Sequence, residues 1–433
     1  MHLLPAARAL CDSNEPQTVE NPALPRYDLV DLAIQRYTAR VSKRHSEEET
    51  KSFFVADLGQ VARQLTRWEC NLPTVRPYYA VKCNSDPPLL NHLASLGAGF
   101  DCASMEEIRL VLDLNIDPSR IIFANPVKAP AALRFARRVG VSRMTFDNLD
   151  ELDKIKACFP DAQLLLRIYA SDDGALVCLG EKFGARLDTT ECLLKRAREL
   201  GLDVVGVSFH VGSGAQSPSP YRKAIQGAAV VFRQASALGF RLTILDIGGG
   251  FTDSNFESIA CSVRESIDTH FSSDITIIAE PGRYFARSAY TLVSQVIGRR
   301  RQIGSADMLY QNDGVYGNFM NVIMEKERMV PKLYSASGRN ELDGFTTAAA
   351  KNGQGQRSQG EYRCSIWGPT CDSIDCVARD VTFDSEVQVG DWLIYHDMGA
   401  YTMTTATRFN GFSRSSDIVY VDSEATMDGT DYI

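Results

Sequence analysis

Little in this chain of 433 residues suits a secreted, membrane-spanning or nucleic-acid-binding protein. Its 11 cysteines are odd in number and scattered, without one C-x-x-C pair, which reads as reduced intracellular thiols rather than a disulfide framework. The histidines (His2, His45, His92, His210, His270, His396) stand far apart, with no H-E-x-x-H and no His/Cys cluster, so no metal site is expected. No run approaches the roughly 18 apolar residues of a membrane span. The start, "MHLLPAARAL", lacks a basic n-region, and the end, "TDYI", matches no retention or lipidation signal. Excess basic charge is missing too. The formal net charge of −8 argues against nucleic acid or an anionic membrane as partner. A cytoplasmic globular protein of one to three domains is expected.

What is present is a rhythm. From residue 75 to about 286, short β-branched or aromatic runs alternate with amphipathic helical stretches. The runs are "VRPYYAVKC", "AGFDCAS", "RIIFANP", "RMTFDN", "LLLRIYA", "VVGVSFHVG", "LTILDIGGG" and "ITIIAEPGR". Strand–helix alternation gives a parallel sheet, and eight units in about 210 residues fit a closed (β/α)8 TIM barrel. After residue 287 the helical signal fades. "YTLVSQVIGRR", "DMLYQND", "EYRCSIWGPT", "DCVARDVTF" and "GDWLIYHDMG" alternate as in a mainly antiparallel β-domain. The expected organisation is an N-terminal segment over 1–58, a barrel over 59–286 and a β-domain over 287–433. "SFFVADL" would be a strand of the N-terminal segment that joins the β-domain. The stretch up to about residue 50 is polar and weakly patterned. Residues 335–360 read as a polar, glycine-rich surface loop.

The ends of the barrel strands carry the chemistry. They finish in Lys82, Asp101, Asn125, Asp147, Arg167, His210, Gly248 to Gly250, Glu280 and Arg283. Active sites of such barrels sit at the C-terminal strand ends. Lys82 in "YYAVKCN" alone reads as a lysine snorkelling to solvent. As one of a ring of polar groups it becomes a candidate nucleophile, because a lysine of tunable pKa condenses with an aldehyde. If that aldehyde is pyridoxal phosphate, its phosphate needs glycines, backbone N–H groups and a cation. "DIGGGF", "EPGRYF" and "HVGSG" offer Gly248, Gly249, Gly250, Gly282, Arg283 and Ser213. The pyridine nitrogen needs a carboxylate, and Glu280 is at hand. His210 offers a flat face for stacking, or equally a hydrogen-bonded structural role.

Taken in order, "PYYAVKCN", "GFDCAS", "FHVGSG", "DIGGGF", "EPGRYF", "NDGVYG", "WGPTCDSID" and "MGAYT" resemble the eukaryotic ornithine decarboxylases. These are pyridoxal-phosphate-dependent decarboxylases of fold type III, with an alanine-racemase-like barrel and a β-domain. The likeness spans roughly residues 50 to 415. It implies that Lys82 holds the cofactor covalently, with Asp101, Glu107 and Arg167 supporting its orientation. It implies that His210 stacks on the ring and Glu280 pairs with the ring nitrogen. Ser213, Gly250, Arg283 and Tyr401 would bind the phosphate. Cys371 would protonate the α-carbon, Asp313 and Asp372 would bind a distal ammonium, and Phe409 would line the site. The same resemblance implies a head-to-tail homodimer with shared sites and a possible antizyme-type regulator.

Departures from the family pattern gather on the substrate side. "NFMNVIMEK" brings Asn318, Met320, Glu325 and Lys326 where Ser-Phe-Asn and an Asp-His pair are usual. Leu309 and Gln311 precede Asp313, Val127 replaces a common cysteine, and "CLGEKFG" lacks the usual serine. The expected activity is decarboxylation of L-ornithine to putrescine. The alternative is a diverged enzyme acting on a larger or modified amino acid in an alkaloid pathway. A non-catalytic antizyme-inhibitor-like protein is disfavoured by Asp101, the three glycines and Cys371. Glu280 disfavours a racemase. The lack of an arginine-rich patch disfavours a diaminopimelate decarboxylase.

Overall fold

In a computed structural model, which describes residues 26–43, 50–171, 174–177, 179–335, 359–412 and 416–425, the eight runs become eight parallel strands of one closed barrel. Numbered along the chain, β1 (Phe53–Asp57) comes first. The barrel strands are β2 (Val75–Ala80), β3 (Gly99–Cys102), β4 (Ile121–Phe123), β5 (Arg143–Phe146) and β6 (Gln163–Arg167), then, after a short β7 (Ala175–Val177), β8 (Asp203–Ser208). After β9 (Ser213–Ala215), β10 (Ile244–Asp246) and β11 (Thr276–Ala279) complete the ring, where β8 pairs with β10 and β11 with β2. The antiparallel pair β7–β9 is an addition that no apolar run announces.

The chain divides into two compact units. One contains Val61–Ala286, and the other holds the described residues up to Gln60 and from Arg287 onward. In the first unit, strands buried on both faces explain the unbroken apolar runs. Tyr78, Ile122, Leu165, Val205, Ile244 and Ile278 form one buried cluster contributed by six of the strands. Local signals set the helices. Ser104 caps Met105–Asp113 by accepting from Glu107 N at 3.2 Å. Asn148 caps Leu149–Cys158 by accepting from Glu151 N at 2.9 Å. Trp68 is fully buried among Phe251, Phe256, Tyr284 and Phe285, and donates its indole N–H to the Val75 carbonyl at 2.8 Å.

The second unit is a mixed sheet. β12 (Tyr290–Arg300), β13 (Asp307–Gln311), β14 (Lys332–Tyr334), β15 (Gln359–Trp367), β16 (Cys376–Ser385) and β17 (Trp392–Tyr395) run in the order β14-β17-β12-β13-β15-β16. β1 lies against β12 and against β18 (Asp417–Val421). Five of the seven pairings are antiparallel, while β1–β18 and β13–β15 are parallel. The polar N-terminal stretch needs correcting, since Arg26–Lys43 is a helix of 18 residues. Val30, Ala33, Ile34 and Tyr37 follow i, i+3, i+4, i+7 and bury one stripe against Phe53, Val55, Val293 and Trp392. Tyr37 stacks on Phe53 with ring centroids 3.9 Å apart. The expected loop at 335–360 lies, from 336 to 358, outside the described residues, as do residues 1–25. Among the described residues no helix is long and apolar enough to cross a membrane.

Candidate active site

β2 stops at Ala80, and Val81–Cys83 form a single 3-10 turn. The turn lifts Lys82 off the sheet ladder at the strand's C-terminal end. Its amine does not simply snorkel, because it pairs with Asp101, whose side chain is 0% exposed at the end of β3. The other oxygen of that carboxylate, Oδ1, is buried without a hydrogen-bond partner. A buried acceptor left in that state costs about 1–3 kcal/mol, so it marks a place where a donor belongs.

Around this pair the mouth collects further charge. Asp246 ends β10 and accepts from Gly248 N at 2.9 Å. Burial raises its pKa to about 7, helped by the charge on Asp101. Glu280 follows β11 and is driven well above the usual carboxylate range by burial, then by the charges of Asp246 and Asp101. These neighbouring acids titrate as a pair. Lys82 and Arg167 pull Glu280 the other way. His210, after β8, is held neutral by burial and by the charges of Arg167 and Lys82. Its Nδ1 accepts from Gly212 N at 3.1 Å, which leaves the proton on Nε2. Arg167 lies over the Phe183 ring at 5.3 Å. Glu107 sits beside Asp101 and Lys82, but its carboxylate is taken up by the chain just before its own helix, accepting from Ala103 N at 2.6 Å.

The structure therefore brings Lys82, Asp101, Glu107, Arg167, His210 and Glu280 into one electrostatic cluster. Sequence reasoning missed Asp246, although "DIGGGF" contains it. Beside the cluster, Arg283 Nη2 donates to Ser213 Oγ at 3.3 Å, and the Gly250 carbonyl accepts from Ala215 N at 2.9 Å. Gly248 and Gly250 have φ of +65° and +105°. A Cβ at Gly248 would stand 2.2 Å from the Phe209 carbonyl oxygen. One at Gly250 would stand 2.8 Å from both the Gly212 carbonyl oxygen and the Tyr221 hydroxyl. Only glycine fits this turn. The donor set fits pyridoxal phosphate. An amine is available for its aldehyde, and three buried acids, two of them (Asp101 and Asp246) with an unpartnered oxygen, suit a protonated ring. A glycine turn beside Ser213 and Arg283 suits its phosphate.

Tyr401, Asp313, Cys371, Asp372 and Phe409 belong to the second unit. Asp313 and Phe409 line one cavity of about 90 Å³, with Lys51, Tyr316, Asn318 and Thr370. Asp313 is buried and already well supplied. Its Oδ2 accepts from Ser52 Oγ at 2.7 Å and Asn318 Nδ2 at 2.6 Å, and its Oδ1 from Gly314 N at 2.8 Å and Asn318 N at 2.9 Å. Burial raises its pKa, and these donors offset part of that. Asp372 contrasts with it. The Tyr316 hydroxyl and Ile374 N–H hold it below the usual range, so it stays ionised. Tyr316 stacks on Phe409 at 4.3 Å, and Cys371 reaches Asn410. Tyr401 has φ of +55°, and its carbonyl accepts from Thr405 Oγ1 at 2.8 Å. Gln311, one of the departures, is fully buried between the Tyr395 hydroxyl (2.7 Å) and the Asp313 carbonyl (3.0 Å).

Comparison with known proteins agrees with this chemistry. Residues 58–287 match the family model described as pyridoxal-dependent decarboxylase, pyridoxal binding domain. The chain is 47% identical over 419 residues to an ornithine decarboxylase of Neurospora crassa, covering 91% of this chain and 85% of that one. It is 43% identical over 406 residues to decarboxylase flvG of Aspergillus flavus, covering 92% of each. Among solved structures, the arginine decarboxylase of Paramecium bursaria Chlorella virus aligns with a TM-score of 0.81 and 35% identity, over 90% of this chain and 100% of that one.

Proposed function

The chain belongs to the pyridoxal-dependent decarboxylase family, and from that premise we propose that it decarboxylates a basic L-amino acid, L-ornithine to putrescine. The observation that carries the reading is the concentration of buried acid at the barrel mouth, where Asp101, Asp246 and Glu280 gather beside Lys82 and Arg167. When bound, pyridoxal phosphate supplies an aldehyde that captures the substrate amine and a cationic ring that draws the electron pair left by departing CO2. Lys82 would hold the aldehyde, Glu280 the ring nitrogen, and His210 the ring face. Ser213, Gly250, Arg283 and Tyr401 would hold the phosphate, with Gly248, Gly249 and Gly282 shaping the turn. Asp101, Glu107 and Arg167 set the charge around Lys82, and Asp101 orients its amine.

Cys371 Sγ holds the proton that the α-carbon receives. Asp313 and Asp372 are the acids for the distal ammonium, and a neutral side chain would leave them unmatched. Cys371, Ile374 and Phe409 lie exposed on the isolated chain, the two apolar ones by 54% and 40%. An apolar edge beside catalytic groups supports a homodimer with shared sites. A second reading, a larger or modified basic amino acid, draws on Asn318 and Gln311, the two departures that bond directly to Asp313.

The test is CO2 release by the purified, cofactor-loaded protein from L-ornithine, L-lysine and larger α-amino acids, with Lys82→Ala as the blank. Release from ornithine that disappears in the variant is expected. Preference for a larger substrate selects the second reading. No release from any basic amino acid overturns both.

A further inference from the structure

Asn410 has no role in the chemistry above, yet its side chain meets the thiol on which that chemistry ends. Cys371 N lies 3.2 Å and Cys371 Sγ 3.4 Å from one atom, Asn410 Oδ1. A backbone N–H can only donate, so the amide must turn its oxygen toward it. An oxygen can only accept, so the thiol beside it must donate. One atom thus sets both the backbone and the side-chain direction of Cys371.

The surrounding turn is built to present that oxygen. Asn410 has φ of +53°, a left-handed conformation that asparagine tolerates better than most residues. Thr407, three residues earlier, donates both its N–H (2.8 Å) and its hydroxyl (3.0 Å) to the Tyr316 carbonyl. Phe409 stacks on the Tyr316 ring, and the Tyr316 hydroxyl donates to Asp372. The turn therefore grips the Cys371–Asp372 dipeptide at both residues, directly at Cys371 and through Tyr316 at Asp372.

We infer that Asn410 is a positioning residue that fixes the Cys371 thiol for transfer of its proton to the substrate carbon. This rests on the reading of Cys371 as proton donor. In that step the bond to CO2 breaks and its electron pair forms a new C–H bond with the proton from Sγ. The thiolate left behind regains a proton from water.

Two variants separate side chain from backbone. Asn410→Gly keeps the positive φ and removes the acceptor. Asn410→Asp keeps an oxygen and adds a negative charge that disfavours the thiolate. The readout is the iodoacetamide alkylation rate of Cys371 in the cofactor-loaded enzyme near neutral pH, with Cys371→Ser as background, alongside kcat and KM. Alkylation requires the thiolate. Asn410→Gly is expected to alkylate about threefold to tenfold faster, and Asn410→Asp about tenfold slower. Both are expected to lose kcat with KM nearly unchanged. Equal alkylation in all three proteins overturns the inference, and so does a kcat loss in Asn410→Gly without a change in alkylation. Full kcat in Cys371→Ser would instead remove the proton-donor role, while the alkylation shifts would still report the contact.

Discussion

Removing the carboxylate of Glu151 should expose how the barrel mouth is braced. Lys128, in "FANPVK", and Glu151 have side chains 0% and 1% exposed and pair at 2.9 Å. Lys128 Nζ also donates to the Thr145 carbonyl at 2.6 Å and the Asn125 carbonyl at 3.0 Å. The cluster therefore ties the loop after β4 to the end of β5 and to the helix Leu149–Cys158. Burial already lowers Lys128 to about 8, with Glu151 as the main opposing influence. In Glu151→Gln the ammonium loses that partner. Breaking a buried pair this way costs about 3–5 kcal/mol if the ammonium stays charged. Protonation caps that cost. Lys128 already sits near 8 in the parent, so shedding its proton at pH 7 costs only about one further unit, roughly 1.4 kcal/mol. The sign follows from linkage. A lysine depressed in the folded state binds fewer protons there than when unfolded, so stability rises with pH up to 10.5. The penalty in Glu151→Gln should therefore shrink to a few tenths of a kcal/mol near pH 9, where Lys128 is mostly neutral in both proteins, with about 0.1 kcal/mol of it from protonation. Urea unfolding of both proteins near pH 7 and near pH 9 measures it. A loss below about 1 kcal/mol near pH 7, or one that persists unchanged near pH 9, would refute the reasoning.

Three further outcomes are expected. Asp246 is raised from 3.8 to about 7, so its contribution to stability is fully present below 3.8 and lost as pH rises through about 7. In cofactor-free protein this amounts to as much as about 4 kcal/mol, and Asp246→Asn should flatten the dependence of Tm on pH. Gly250→Ala should weaken pyridoxal phosphate binding at least about tenfold in a fluorescence titration while circular dichroism stays unchanged, because a Cβ there meets two oxygens at 2.8 Å. Affinity within about twofold of the parent would mean the turn does not hold the cofactor. Asn318→Ser should cost about 2 kcal/mol in urea unfolding, the worth of a hydrogen bond to a charged group, since it removes the 2.6 Å bond to Asp313.

The barrel was legible because a strand buried on both faces leaves a run of β-branched and aromatic residues ending in a polar group, and eight such runs are hard to produce otherwise. "VRPYYAVKC" and "ITIIAEPGR" each carry strand, terminus and chemistry together. The helix Arg26–Lys43 was equally written in the chain as Val30, Ala33, Ile34 and Tyr37, but charged neighbours hid the stripe from a reading that weighed average polarity. β7 and β9 have three residues each and leave no period to detect. Asn410 and Asp246 escaped for another reason. Asn410 meets a residue 39 positions away, and Asp246 acts through burial beside acids from other strands. No local pattern encodes either fact.

Asp375 binds two stretches of the second unit with one carboxylate. It accepts from Val315 N at 2.8 Å, and from Thr370 N at 3.1 Å and Thr370 Oγ1 at 2.6 Å. Its oxygens stand so near Gly314 and Gly368 that a Cβ at either would be 2.2 Å away. "NDGVYG" and "WGPTCDSID" are thereby locked in length as well as in shape. An inserted residue in either would tear out the carboxylate and leave it buried without donors. Evolution toward a new substrate on such a frame is confined to exchanging side chains. Two enzymes on this frame would then differ in what they accept while their backbones superimpose.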